Sequence, residues 1–533
     1  MTPATRLALA ATVPLLLIIA GITAAILCLC DGRLIYSLDD PYISLALADQ
    51  IAQGHYGINA GEPSSPASSI LYPFLLAVFA WAPWREWAPL LLNTAAALTT
   101  AAILAREAVR LRLVQDRRQI PAAAGLIVVL CLSLNIVGLV FIGLEHSLHV
   151  LTAAYVILGL ARALDSRRVP PALVATIVLL PLWRFEGLAE AGLALLALAA
   201  AGYWRPAATA ATAIAVALAA YVGGMTALGL PPLPSSVLVK SDIAQAGGLA
   251  ALWHGLRGHL TASLANPEAH PAFLLLGLIA ARPLSRRFAQ TGRRDWLVAG
   301  VGAGTLAAHI LFGAWGWFAR YEAYALAAGA AAAIVLWREP LAAFLARPRP
   351  IPVAAAAIAL LLIGRTYVLA EVATPVASLG IYEQQYQMHR FAAEFYRRPV
   401  GVNDLGWVGY RNPNYVLDLW GLGSEQARTL RANAAGDPQW LGRLVAAHGV
   451  GLVMIFDDWF PGQVPAAWRR VAALKAAHRL TSPFDTVSFY VTSPEAAPEA
   501  LAALRAFSRD LAPGTTVTIR DPTNFVAGDP QSD

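Results

Sequence analysis

Roughly eleven apolar stretches, most of them near the length a helix needs to cross a bilayer, fill the first 370 residues of this 533-residue chain. A spanning helix needs about 20 mostly apolar residues. Candidates fall at about 7–30, 88–105, 120–142, 147–161, 170–183, 187–203, 206–224, 270–281, 296–313, 319–337 and 351–369. Apolar residues make up 58% of the chain and charged residues 14%, against about a quarter charged in an ordinary soluble protein. Mean hydropathy is +0.56. These values exclude a disordered chain, a disulfide-stapled secreted domain and an ordinary cytosolic enzyme. A polytopic membrane protein is expected, mainly α.

A further apolar stretch, 69–84, decides the topology. The loops 106–118, 162–168, 204–205, 282–294 and 338–349 together carry 17 arginines, and cytoplasmic loops are enriched in Arg and Lys. Every one of them falls inside if 69–84 is a juxtamembrane or re-entrant helix. They invert if it spans. Pro73, Pro83 and its length of about 16 residues favour the first arrangement. The N-terminus is then inside and the C-terminus outside. Arg6 precedes a long apolar run without a small-residue cleavage site before Asp31, which reads as an uncleaved first helix. The net charge of +6 resides in these loops, so nucleic acid is not an expected partner.

The spanning domain is assigned to 1–370 and a smaller domain to 371–533. The latter holds strand-like runs at 400–410, 415–420, 449–456 and 484–492, with helical stretches at 437–448 and 466–478 between them. That alternation predicts an α/β domain on the outer face. Cys28, Cys30 and Cys131 all lie in apolar segments, so no disulfide forms within the C-terminal domain.

Ionisable residues at the ends of spans are costly at membrane depth and mark a cavity or a partner. On the outer side these are Asp39, Asp40, Glu145 and Glu186, with Arg184, Lys240 and Arg320 among the few cations. The first outer loop, 31–68, opens with Asp39-Asp40-Pro41. A helix follows in which Ile43, Leu47 and Ile51 share one face, an interfacial pattern. The acidic pair reads either as a solvated N-cap or as a general base, because neighbouring carboxylates in a partly dry site repel and one holds its proton more tightly. His146, beside Glu145, reads either as a hydrogen-bonded structural residue or as part of the site. Arg184 and Glu186 either neutralise each other or shape the site. Lys240 suggests an anion contact, and Arg320-Tyr321 reads as an aromatic belt or a site cation. No GxxxxGK[ST], kinase set, HExxH or GxSxG is present.

In order, the pieces resemble the C-type (GT-C) membrane glycosyltransferases, most nearly the group of the mycobacterial terminal β-(1→2)-arabinofuranosyltransferase. The resemblance is carried by Asp39-Asp40-Pro41-Tyr42-Ile43-Ser44, Gly54-His55-Tyr56-Gly57, Asn59-Ala60-Gly61-Glu62-Pro63 and Ser65-Pro66. It continues through Gly143-Leu144-Glu145-His146, Arg184-Phe185-Glu186-Gly187, the run from Pro234 to Lys240, and Arg320-Tyr321. Val402-Asn403-Asp404-Leu405-Gly406 and Leu417-Asp418 resemble the start of the family's outer domain. Leu144, Phe185 and Ser235 depart from the family's Met, Pro and Asn.

The resemblance implies a polyprenyl-phosphate sugar donor used on the outer face of a bacterial inner membrane, with a cell-envelope glycan or lipid as acceptor. It implies Asp39 as base, while the sequence leaves Asp39 and Asp40 unranked. Glu145, His146, Arg184, Glu186, Lys240, Arg320, Tyr321 and His55 are the expected substrate contacts. No protein metal cage is legible, which leaves room for a divalent cation. A secondary transporter, an O-antigen-type polymerase or ligase, and a non-catalytic receptor for envelope glycans are the rival readings. The transporter lacks the paired broken helices it requires.

Overall fold

The computed structural model describes residues 1–235, 249–284, 292–433 and 437–520; Lys240 lies outside the described residues. Among these, six helices are long and apolar enough to cross a membrane: Pro3–Leu29, Arg85–Arg110, Arg117–Ile142, His146–Ser166, Trp204–Ala227 and Arg293–Phe312. Two bent pairs raise the number to eight if each is one span. They are Ala323–Leu336 with Arg338–Ala346, at 72°, and Pro350–Ile363 with Arg365–Tyr396, at 74°. Six to eight is fewer than the eleven expected. The difference lies in 170–183, 187–203 and 270–281, whose helices run 13, 14 and, within the described residues, 15 residues.

The helices turn much of their apolar surface outward. Leu17 is 66% exposed, Leu196 69%, Leu362 65% and Ile351 83%. A scatter of large apolar side chains on this scale suits hydrocarbon, not water. On Pro3–Leu29 the buried residues Leu7, Ala11, Leu15 and Ile19 recur every fourth position, so one stripe packs inward while the rest of the helix faces out. The 69–84 stretch forms only the six-residue helix Tyr72–Ala77 followed by turns, too short to span.

The helix Asp40–Ala52 differs from expectation. Its residues from Pro41 to Ala48 are all buried, so it is not an interfacial helix with one apolar face. It is wedged between the helical domain and the C-terminal domain, and the Tyr42 ring stacks on Trp407 with centroids 3.9 Å apart.

The C-terminal domain is built on a six-stranded sheet. Its strands are β1 (Val400–Val402), β2 (Val416–Asp418), β3 (Leu452–Ile455), β4 (Arg469–Ala476), β5 (Thr486–Val491) and β6 (Thr515–Ile519), in the order β2-β1-β3-β5-β4-β6. β1 pairs in parallel with β2 and β3, and the remaining pairs are antiparallel. One face packs on Trp440 and Leu444 of the helix Trp440–Ala447. The other, which carries Phe489 of β5, packs on Phe391 and Phe507. The expected helix at 466–478 is instead β4. Its Ala-Leu-Lys-Ala composition favours helix locally, but pairing on both sides by β5 and β6 overrides that preference.

The first loop ties this domain down. Asn59 donates from Nδ2 to the Val416 carbonyl at 2.9 Å and accepts at Oδ1 from the Val416 N–H at 3.1 Å. Glu62 Oε2 accepts from the Tyr415 hydroxyl at 2.8 Å. The Asn59-to-Pro63 motif is thus a docking element.

Candidate functional site

Where the helical and C-terminal domains meet, a cavity of about 290 Å3 is lined by Asp39, Asp40, Arg320, Tyr321, Gln385, Asn403 and Asp404, with Trp317, Trp420 and Trp459 among its walls. A smaller recess shares Asp40, Arg320 and Tyr321 with it and adds Glu145, Arg184 and Ser68. The structure therefore brings together acidic and basic residues from five separated parts of the chain.

The two aspartates of the first loop are not equivalent. Asp39 sits at the N-cap position of Asp40–Ala52 but makes no side-chain cap bond. It is buried, and its Oδ1 accepts from the Trp407 N–H at 2.8 Å. Asp40 accepts from Arg320 Nη2 at 2.7 Å. Neither is a solvated cap. Burial first, then the Asp404 carboxylate, holds the Asp39 carboxyl well above the usual range, with Asp40 a weaker influence. The repulsion expected between Asp39 and Asp40 is thus exerted mainly by a residue 365 positions away. Asp404 is itself pushed up to about 6, chiefly by burial, against a hydrogen bond from Gln385 Nε2 at 2.8 Å.

Arg320 owes its position to an uncommon backbone. Gly316, Trp317, Phe318 and Ala319 have φ of +82°, +49°, +66° and +57° in succession, one left-handed turn ending at Arg320. For residues other than glycine this costs about 1–2 kcal/mol each. Strain of this kind persists only where the surroundings enforce it. Asn135 Nδ2 donates to the Phe318 and Ala319 carbonyls at 3.2 and 2.9 Å, and Glu322 Oε2 accepts from the Gly316 N–H at 3.1 Å. Asn135 itself has φ +57°, at the break between the helices Ile120–Ser133 and Gly138–Ile142. Asn135→Ala should destabilise the full-length protein by about 2–4 kcal/mol, from lost hydrogen bonds and a left-handed alanine. Asn135→Gly, which relieves the second cost, should lose less; thermal unfolding of both purified variants in detergent checks the order.

Arg184 is buried and donates from Nη1 to Glu145 and from Nη2 to Glu186, both at 2.8 Å. The Tyr321 ring lies against both arginines, 5.6 Å from the Arg184 guanidinium and 4.9 Å from that of Arg320, and its hydroxyl accepts from Arg320 at 3.0 Å. Arg320 Nε and Nη1 have no partner among the described residues, leaving donors for an anion. His146 is buried at the start of its helix, with Nδ1 4.0 Å from Glu145 Oε1, and lines neither recess.

The structure does not bring His55 to either recess. It is exposed. Its N–H bonds the Gln50 carbonyl, and Gly54, at φ +85°, bonds Ile51, which is a helix-terminating Schellman arrangement. The Gly54-His55 pair ends a helix.

The C-terminal domain contributes cavity residues that composition and spacing do not mark. Asn403 follows β1; its Oδ1 accepts from the Phe456 N–H at 2.9 Å, while Nδ2 has no partner among the described residues. Asp418, at the end of β2, accepts from the Trp420 and Gly423 N–H groups at 2.8 and 2.6 Å, which shapes the loop carrying Trp420 into the cavity wall. The only sequence signal was the resemblance at 402–406 and 417–418. Among the described residues no group of three or more His, Cys, Asp or Glu side chains is placed to hold a metal ion.

Fold and site together define a mainly helical chain with several helices apolar enough for a membrane and a C-terminal sheet domain that closes over a charged cavity. A family model for a domain of unknown function, DUF8728, matches residues 376–490, a stretch that includes Gln385, Asn403, Asp404 and Trp420. No curated protein and no solved structure matches the chain.

Proposed function

We propose that this protein is an inverting membrane glycosyltransferase. It moves a sugar from a polyprenyl-phosphate donor to a cell-envelope glycan or lipid on the outer face of a bacterial inner membrane. The observation that carries this reading is the single cavity in which a buried carboxyl group, Asp39, and a partly buried one, Asp404, stand beside a buried arginine with spare donors, Arg320. Asp39 takes the acceptor hydroxyl's proton while that oxygen attacks the anomeric carbon. Polyprenyl phosphate departs, and the charge growing on it is met by Arg320; Arg184, held by Glu145 and Glu186, lines the adjoining recess. Asp40 fixes Arg320 in place. Lys240 is the remaining proposed phosphate contact, and His146 supports Glu145. In this reading about eleven segments cross the membrane, with the Arg-rich loops inside.

An apolar groove supports the lipid donor. It has a volume of about 740 Å3 and lies between the helices Pro171–Trp183 and Trp204–Ala227, lined by Val174, Val178, Leu179 and Ala213. The groove also takes in Val169 and Arg205 beside the loops assigned inside, so in this reading it offers an isoprenoid tail a seat in the inner half of the bilayer, with Arg184 beyond the opposite end of the first helix.

Membranes containing the protein, given radiolabelled polyprenyl-phosphate pentoses and hexoses, should transfer label to endogenous glycan or lipid. Membranes lacking it should not. Absence of transfer from every donor, with the protein present at normal level, would overturn the assignment.

A further inference from the structure

We propose that Asp404, carried by the C-terminal domain, completes the proton-accepting group at Asp39, so that the base is a pair of carboxyl groups built across the domain junction. This deepens the glycosyltransferase reading and rests on it.

The geometry is specific. Asp39 lies in the first loop and Asp404 two residues beyond β1, yet both line the same cavity, and Asp404 is the strongest charged influence on the Asp39 carboxyl group. Asp39 is oriented by the Trp407 N–H on Oδ1. Its Oδ2 accepts from no N–H or O–H donor among the described residues, as fits an oxygen that carries the proton shared with Asp404. Gly406 makes the approach possible, because a Cβ there would stand 2.3 Å from Asp39 Oδ2 and 2.2 Å from the Asp39 carbonyl. Asp404 is oriented in turn by Gln385. The other charged groups facing the pair are Asp40, Asp418 and, through Asp40, Arg320.

Two interacting carboxyl groups in a partly dry cavity titrate as a unit. In the resting pair one proton is shared. The acceptor hydroxyl gives its proton to the free carboxylate oxygen as its own oxygen bonds the anomeric carbon. The bond from that carbon to the phosphate oxygen breaks, and its electrons leave with polyprenyl phosphate. Both carboxyl groups are then neutral, and loss of one proton to water restores the pair. A single isolated buried aspartate holds its proton or is ionised; the pair keeps one oxygen basic while the other stays protonated.

The pH dependence of label transfer tests this. Wild type should lose activity through an acid limb as the second proton binds. Asp404→Asn removes the shared proton that keeps the other carboxylate oxygen ionised and leaves Asp39 a lone buried carboxyl group, so the limb should move to higher pH by about one unit, with the plateau rate falling at least about tenfold. Asp404→Glu, which keeps a second carboxyl, should restore the limb. If Asp404 only held the domains together, Asp404→Asn would lower the rate without moving the limb, and that result overturns the pair. Should Asp404→Asn not accumulate in membranes, Gln385→Leu decides. It removes a hydrogen bond that lowers the proton affinity of Asp404, so its limb should move to higher pH, and an unmoved limb overturns the pair. An absence of transfer by wild type would remove the glycosyltransferase reading itself, a distinguishable result.

Discussion

Asparagine in place of Asp39 is expected to cut sugar transfer by about 10²- to 10⁴-fold, the range associated with losing a positioned general base. The substitution is nearly isosteric, and an amide oxygen can still accept the Trp407 N–H that now bonds Oδ1. What it removes is the capacity to take a proton. Initial rates in membranes, normalised to the amount of inserted protein, provide the measurement. Asp40→Asn makes the informative comparison, because Asp40 is committed to Arg320 and its loss should act on donor concentration dependence more than on maximal rate. Equal transfer by wild type and Asp39→Asn would remove the proposed mechanism.

The second large effect is expected at Arg320. Its Nη2 is shared by Asp40 and the Tyr321 hydroxyl, while Nε and Nη1 have no partner among the described residues. Arg320→Met fills similar space without charge or donors. It should lower the maximal rate by about 10²- to 10³-fold, as removal of a preorganised donor to a developing anion does. Arg320→Lys keeps the charge but not the planar fork, so it should recover only part of the loss. Rates at saturating donor separate this from weaker binding. A maximal rate unchanged in Arg320→Met would show that the leaving phosphate is met elsewhere.

Different physical signals made parts of this molecule legible in the sequence and left others dark. Apolar runs of spanning length announce themselves because hydrocarbon admits few alternatives, so the helical character of residues 1–370 could be read directly. Span counting faltered where helices such as Pro171–Trp183 and Gly187–Ala200 fall short of bilayer length. Asp39, Asp40, Arg184 and Arg320 stood out because a charge at the end of an apolar run is expensive, and the structure gathers them around adjoining recesses. Asp404, Asn403 and Trp420 carried no such mark. In a sheet domain of ordinary composition an acid or a tryptophan is unremarked, and nothing local reports that residue 404 meets residue 39. His55 stands apart from the recesses, where the Gly54-His55 pair ends a helix. β4 reads as helix in the sequence because alanine-rich segments favour helix until neighbouring strands claim them. The left-handed turn at 316–319 was invisible for a related reason: Trp, Phe and Ala do not choose that conformation, and Asn135 and Glu322 impose it.

The grip of Asn59 on Val416 bears on self-association. β2 is an edge of the sheet, and an uncovered edge presents N–H and C=O groups on which a foreign strand can template itself. The Asn59 carboxamide occupies both the N–H and the C=O of Val416, imitating one residue of a neighbouring strand at the middle of the short segment 415–418. The first loop thus works as a guard on the sheet. A chain whose C-terminal domain has folded before that loop docks exposes a ready site for β pairing with another copy, and the hazard closes when the two ends of the polypeptide meet.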